Sequence, residues 1–176
     1  MGGHWKKHEL AKGQVRYESK KIFGYFNSNK KMKKSFNKEM FFNRDEFDTM
    51  MKLYFDVLWV LRSKNKRGKM LYYLHFHEIK SGKPNFYQLE RQLKYVYPRS
   101  FMEGKEYNQF MEQWKTPPFK KITSDFDMPT AIAQYYYLWI PLEHHKKVES
   151  HIISLGLESM INRNIRILDF DILDKL

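Results

Sequence analysis

The chain has 176 residues, enough to bury the core of one domain, with 42% hydrophobic and 30% charged residues. It has no cysteine, which excludes disulfides, thiolate zinc sites and catalytic thiols. Its net charge is +12, a balance that suits polyanionic partners.

No apolar run approaches the roughly eighteen residues a membrane span needs, and the opening segment lacks the apolar stretch of a signal peptide. Lys6 stands where a myristoylation signal wants Ser or Thr. The expectation is a protein without membrane attachment, intracellular (cytoplasmic) or virion-internal. Residues 1–40 carry eleven Lys/Arg against three Glu and read as a basic N-terminal arm, with 41–176 as a single α+β domain. Within the arm, residues 22–26 suggest a first strand. The polar stretch 27–38 holds Lys30, Lys31, Lys33 and Lys34, candidates for phosphate contacts.

Asn43 followed by Glu46 resembles a capping box. Phe47, Met50, Met51, Tyr54, Leu58 and Leu61 then recur at helical spacing, which predicts a helix over 44–61. A second basic cluster, Arg62, Lys64, Lys66, Arg67 and Lys69, falls in the next expected loop. Residues 70–79 alternate. Met70, Tyr72, Leu74 and Phe76 share one face, and Leu71, Tyr73, His75 and His77 the other, as in a strand. Ser81-Gly82-Lys83-Pro84 breaks it, and Asn85 caps a helix carrying Phe86, Leu89, Leu93 and Val96 before Pro98. A further helix carries Tyr107, Phe110, Met111 and Trp114.

A strand is expected over 131–141, with Tyr135, Tyr137 and Trp139 on the face opposite Tyr136, Leu138 and Ile140. A helix from Glu143 buries Val148, Ile152 and Leu155 and stops at Gly156. Residues 165–172 form the last expected strand. The order is β-α-β, two helices, β-α-β, which is the ferredoxin-like split βαβ order with a two-helix insertion.

Three readings of function follow. In the first, the protein is a non-enzymatic, basic structural or binding protein. It works beside nucleic acid in a multi-subunit assembly of virion or ribonucleoprotein type, without a cofactor. The arm and the loop (Arg62, Lys64, Lys66, Arg67) meet phosphates, while Tyr73, Tyr135, Tyr137 and Trp139 form an open sheet face on which bases stack. The aromatic and methionine content adds an expected contact with other protein subunits or a second copy.

The second reading starts from His75-Phe76-His77, whose two imidazoles point the same way on a strand and can share a divalent metal. This histidine–hydrophobic–histidine pattern resembles the motif of the HUH endonucleases. That resemblance implies a metal-dependent single-strand endonuclease using His75 and His77, with a helical tyrosine as nucleophile. Tyr87, Tyr95, Tyr97 and Tyr107 all lack the lysine three positions on that the family's replication branch uses. In the third reading the protein is a protein–protein connector or inhibitor whose charge serves solubility alone.

Overall fold

The computed structural model describes residues 2–28, 44–48, 55–64, 66–68, 70–112 and 133–175. Two helices come first, α1 (Gly2–Tyr17) and α2 (Ser19–Ser28). A meander follows, of β1 (Arg44–Asp48), β2 (Val57–Lys64) and β3 (Met70–Ile79). Helices α3 (Phe86–Val96) and α4 (Gly104–Glu112) precede β4 (Ala133–Ile140). Helix α5 (His145–Ser154) leads to β5 (Ile165–Asp169) and a closing 3-10 segment, Phe170–Lys175.

The mixed α+β character is as expected, but the strand order is not. The five strands lie in chain order, β1-β2-β3-β4-β5. The β1–β2 and β2–β3 pairs are antiparallel, and β3–β4 and β4–β5 are parallel. A ferredoxin-like sheet interleaves its strands, so the split βαβ order does not describe this one. Helices α3 and α4 belong to the long crossover that a parallel β3–β4 pair requires, not to an insertion between two halves.

Two expected elements change type. Residues 22–26 are helical, because the apolar spacing that matters is four, not two: Ile22 and Phe26 are both buried, and the Phe26 ring stacks 5.6 Å from Tyr137. The helix expected over 44–61 is replaced by β1 and β2 where the chain is described. Val57, Leu58 and Trp59 are buried in succession. A short apolar run rich in β-branched and aromatic residues fits a strand covered on both faces, and there tertiary burial overrides helical spacing.

Other expectations hold. Asn85 caps α3, its side-chain oxygen accepting the Gln88 N–H at 3.0 Å. Gly156 follows α5 at a φ of 80°, a conformation glycine adopts without steric cost. The alternation over 73–79 and 133–140 sorts side chains to the two faces as read.

The molecule has three layers. Leu58, Leu74, Phe76, Tyr136 and Leu138 face α3 and α5, which contribute Leu89, Leu93, Val148 and Ile152. Val57, Trp59, Tyr73, Tyr135, Tyr137 and Trp139 face α1, α2 and the closing segment, with Ala11, Val15, Ile22, Phe26, Phe170 and Leu173. Burying side chains of this size stabilises the fold by roughly 1.5–3 kcal/mol each. The expected arm is thus divided. Residues 2–28 are two helices packed on the sheet, and 29–40, with Lys30, Lys31, Lys33 and Lys34, lie outside the described residues.

Candidate functional site

At one end of the sheet, four polar side chains converge from three elements. Asp56 immediately precedes β2, and its N–H donates to the His77 carbonyl at 3.0 Å. It therefore continues the register beyond the Val57–His77 pair and lies beside Glu78. The Asp56 carboxylate accepts the Ile79 N–H at 2.9 Å. Glu78 and Lys80 are two residues apart on an extended run, so they share a side, and the Lys80 ammonium is 3.3 Å from the Glu78 carboxylate. The Lys80 N–H donates to the Trp139 carbonyl at 2.7 Å, which holds the run extended past the end of β3.

The fourth side chain comes from α3. One turn after Gln88, Gln92 donates from Nε2 to Glu78 Oε2 at 2.8 Å. The Tyr136 hydroxyl on β4 donates to Gln92 Oε1 at 2.6 Å. Glu78, Gln92 and Tyr136 are all buried. Burial first, then the charges of Glu78 and Asp56, push the Tyr136 hydroxyl far above its usual range and keep it a donor.

From the opposite face, α1 supplies cations. Lys12 Nζ lies 3.4 Å from Asp56 Oδ1, and His8 Nε2 lies 3.5 Å from Asp56 Oδ2. The same His8 nitrogen is 2.9 Å from the Ile79 carbonyl oxygen. Helix α1 is held to β2 by Trp59, whose indole N–H donates to the Val15 carbonyl at 2.9 Å.

The two carboxylates are in opposite electrostatic states. Burial raises the Asp56 pKa, but the His8 and Ile79 hydrogen bonds and the His8 and Lys12 charges outweigh it and hold the group below its ordinary value. Glu78 is pushed up to about 7, by burial first and then by the negative charge of Asp56. The His8 imidazole is raised, chiefly by its bond to Asp56. One carboxylate is thus compensated, and its neighbour carries charge only against a penalty. Carboxyl pairs perturbed in this way occur both at functional sites and in structural ion-pair networks.

A cleft of about 200 Å³ opens over Glu78, Lys80, Asn85, Gln88, Gln92 and Tyr136. Much of that space is open to solvent, and the part that can hold water is about 10 Å³, room for about one water molecule. Among the described residues, no three His, Cys, Asp or Glu side chains form a group that could hold a metal. Hard divalent cations such as Mg²⁺ need fewer, binding through one or two carboxylates plus waters and substrate phosphates. Here each carboxylate oxygen already faces a donor or a cation: the Ile79 N–H, His8 and Lys12 at Asp56, and Lys80 and Gln92 at Glu78.

The residues expected from sequence are elsewhere. His75 and His77 are fully buried beneath α1 and α2. His75 Nδ1 is 2.7 Å from the Tyr137 hydroxyl, and Trp139 Nε1 donates to His77 Nδ1 at 3.1 Å. His77 also stacks on Tyr137 at 4.5 Å. Burial drives His75 down to about 3 and His77 well below its ordinary value. They are neutral core histidines to which a scissile phosphate has no access. This corrects the metal role expected for them.

Tyr73, Tyr135, Tyr137 and Trp139 are likewise buried, so the sheet face expected to stack bases is closed, and by the N-terminal helices. Arg62 and Lys64 are on β2, and Lys66 and Arg67 are exposed in the turn beyond it. At about 3.3 Å per residue, eight strand residues put that turn roughly 25 Å from Asp56. The structure does not bring this cluster to the site.

Sequence reasoning missed Asp56, Glu78, Lys80 and Gln92. The available signal was Glu78-Ile79-Lys80, a carboxylate and a lysine on one side of a strand end, just before the Ser81-Gly82 break. Asp56 becomes legible only once Val57–Lys64 is read as a strand whose start meets that end. No family model, curated protein or solved structure matches the chain, so the chemistry of this site rests on its own geometry.

Proposed function

We propose that the protein is a divalent-cation-dependent phosphodiesterase acting on nucleic acid, with Asp56 and Glu78 as cation ligands and Lys80 facing the substrate phosphate. The observation that carries this is the placement of two carboxylates on adjoining strand positions, with a lysine on the side of Glu78 and a small cleft over Glu78 and Lys80. A cation bound there would supply Lewis-acid polarisation of the phosphoryl group and a water acidified towards neutral pH. Lys80 would contribute a compact positive charge where negative charge develops. Lys12 and His8, now against Asp56, would lie beside the phosphate that entered.

The charge of the chain supports the substrate class. Helix α1 carries Lys6, Lys7, Lys12 and Arg16 against Glu9 alone, an excess of positive charge beside the site that suits a phosphate backbone. Trp5, 68% exposed, precedes His8 by three helical positions and shares its side of α1, where a base could stack. Of the sequence-based readings, nucleic acid as partner is retained, and so is metal-dependent nuclease chemistry, moved from the histidines to the carboxylates.

The test is cleavage of labelled single- and double-stranded DNA and RNA in Mg²⁺ or Mn²⁺. Parent protein should cut at least one of them and chelator should stop it. Asp56→Asn should lose cleavage while keeping most nucleic-acid affinity. His75→Phe should cut normally to the extent that it folds. Binding without cleavage in any metal would sink the enzymatic reading and leave the non-enzymatic protein of a nucleic-acid assembly.

A further inference from the structure

Helix α1 buries one side and leaves the opposite side to water. Ala11 and Val15 pack towards the sheet. Gly13 stands two positions from each, about 200° round the helix, and so faces away from the sheet. Residues four apart line up along a helix, which makes Trp5, Glu9, Gly13 and Tyr17 one outward ridge. Its two ends are aromatic and lie about 18 Å apart along the axis. Trp5 and Tyr17 are 68% and 71% exposed, and Leu10, beside the ridge, is 70% exposed. Three of the six large apolar side chains exposed among the described residues are on this one helix. Exposed apolar groups that gather in this way mark an interaction surface.

Gly13 lowers the ridge between the two rings. A Cβ there would meet nothing within 4 Å, so packing does not call for glycine, and glycine inside a helix costs stability relative to alanine. The missing side chain leaves a gap beside Tyr17 in which a flat base can lie. The Arg16 guanidinium is 4.9 Å from the centre of the Tyr17 ring, so a cation stands at the stacking position. Lys6 and Lys7 are exposed and Arg16 partly so. Against them stands Glu9, whose carboxylate is 3.7 Å from His8 Nδ1. Basic charge interleaved with exposed rings suits a strand whose bases are unpaired and open to stacking, whereas a duplex hides its base faces.

We infer that the outward face of α1 is a docking track for single-stranded nucleic acid, with bases stacked on Trp5 and Tyr17 and the strand crossing at Gly13. The track takes only its class of partner from the proposed function, and it needs no cation.

The experiment is fluorescence anisotropy of labelled oligo(dT) with the full chain in EDTA, so that no metal-dependent cleavage intervenes. The parent should bind the single strand at least 10-fold more tightly than a duplex of equal length. Trp5→Ala and Tyr17→Ala should each weaken single-strand binding about 10-fold, with the slope of log affinity against log salt unchanged. Arg16→Gln should reduce that slope by about 0.7, the share of one phosphate contact. Gly13→Leu separates docking from a structural role. It should raise the melting temperature, because leucine is the better helix former, and still weaken binding about 10-fold. Parental affinity in Trp5→Ala and Tyr17→Ala, parental affinity in Gly13→Leu, or a duplex bound as tightly as the single strand would overturn the track. Binding to phosphatidylserine vesicles through Trp5 and Tyr17, with none to oligo(dT), would overturn it in favour of a membrane surface. Metal-dependent cleavage alongside parental affinity in the ring variants would leave the nuclease without the track. Strand binding by a parent that cuts in no metal would leave the track without the nuclease.

Discussion

Replacing Glu78 by glutamine should stabilise the metal-free protein at neutral pH while destroying its use. Burial and the charge of Asp56 push this carboxyl from 4.5 to about 7. Above pH 7 it is ionised in folded and unfolded chains alike, and the folded state bears the cost of a charge it disfavours. The raised value means that its stabilising contribution is complete below about 4.5 and is lost as pH rises to about 7. A displacement of roughly 2.5 units is on the order of 3 kcal/mol.

Glu78→Gln removes the charge, keeps the volume and can still accept from Gln92. In metal-free buffer it should exceed the parent by about 3 kcal/mol at pH 8, and by less than about 1 kcal/mol at pH 5, where the parent carboxyl is already protonated in the fold. Urea unfolding at both pH values measures the gap. Added Mn²⁺ reverses the ranking. At a hundred times its dissociation constant the ion stabilises the parent by roughly 2.7 kcal/mol, and the variant, with one carboxylate left, gains far less. A variant no more stable than the parent at pH 8, or one that Mn²⁺ stabilises as much as the parent, would refute this account of Glu78.

Three further outcomes are expected. Lys80→Ala should lower the cleavage rate by roughly 10²–10³-fold, as loss of one transition-state donor does, with Mn²⁺ affinity, read by the loss of the free-Mn²⁺ paramagnetic signal, kept within a few-fold. Acid should unfold the protein early: His75 and His77 are neutral in the fold and protonate near 6.5 when released. Each therefore removes about 1.4 kcal/mol per pH unit below that point, with Glu78 offsetting one of the two down to about 4.5; equal urea midpoints at pH 7 and 5 would contradict this. Trp5→Ala should weaken single-strand binding by the roughly 1–3 kcal/mol that one stacked base contributes, read by fluorescence anisotropy, with Mn²⁺ affinity unchanged.

Elements whose sequence pattern and environment agree were readable from sequence. The run Tyr73–Ile79 alternates because its two faces meet different helices, and Asn85 announces α3 because a helix start leaves N–H groups that its side chain can accept from. Val57–Lys64 is not readable as a strand, because Val57, Leu58 and Trp59 are covered on both faces and show no alternation, and Leu58 and Leu61 happen to continue a helical spacing. That one error hid the site, since Asp56 has meaning only at the start of a strand paired with β3. His75-Phe76-His77 drew attention for the opposite reason. Spacing puts two imidazoles on one side, but spacing cannot say whether that side meets solvent or Phe26 and Trp59. Gln92 was beyond reach for a third reason, because its role comes from Tyr136, forty-four positions away.

The packing of α1 against the closing 3-10 segment has a consequence in time. Ala11 and Val15 share a core cluster with Phe170 and Leu173, on either side of about 150 residues of chain. Contacts so distant in sequence are slow to form, because a long loop must be closed before any burial rewards it. Helix α1 is held to β2 through Trp59, but its packing is complete only once the segment about 150 residues further on is in place. An incomplete chain lacking the closing segment would carry Asp56, Glu78 and Lys80 without a secured α1 beside them. Under the proposed function, loosening Phe170–Lys175 would loosen α1 and, with it, the cations beside Asp56.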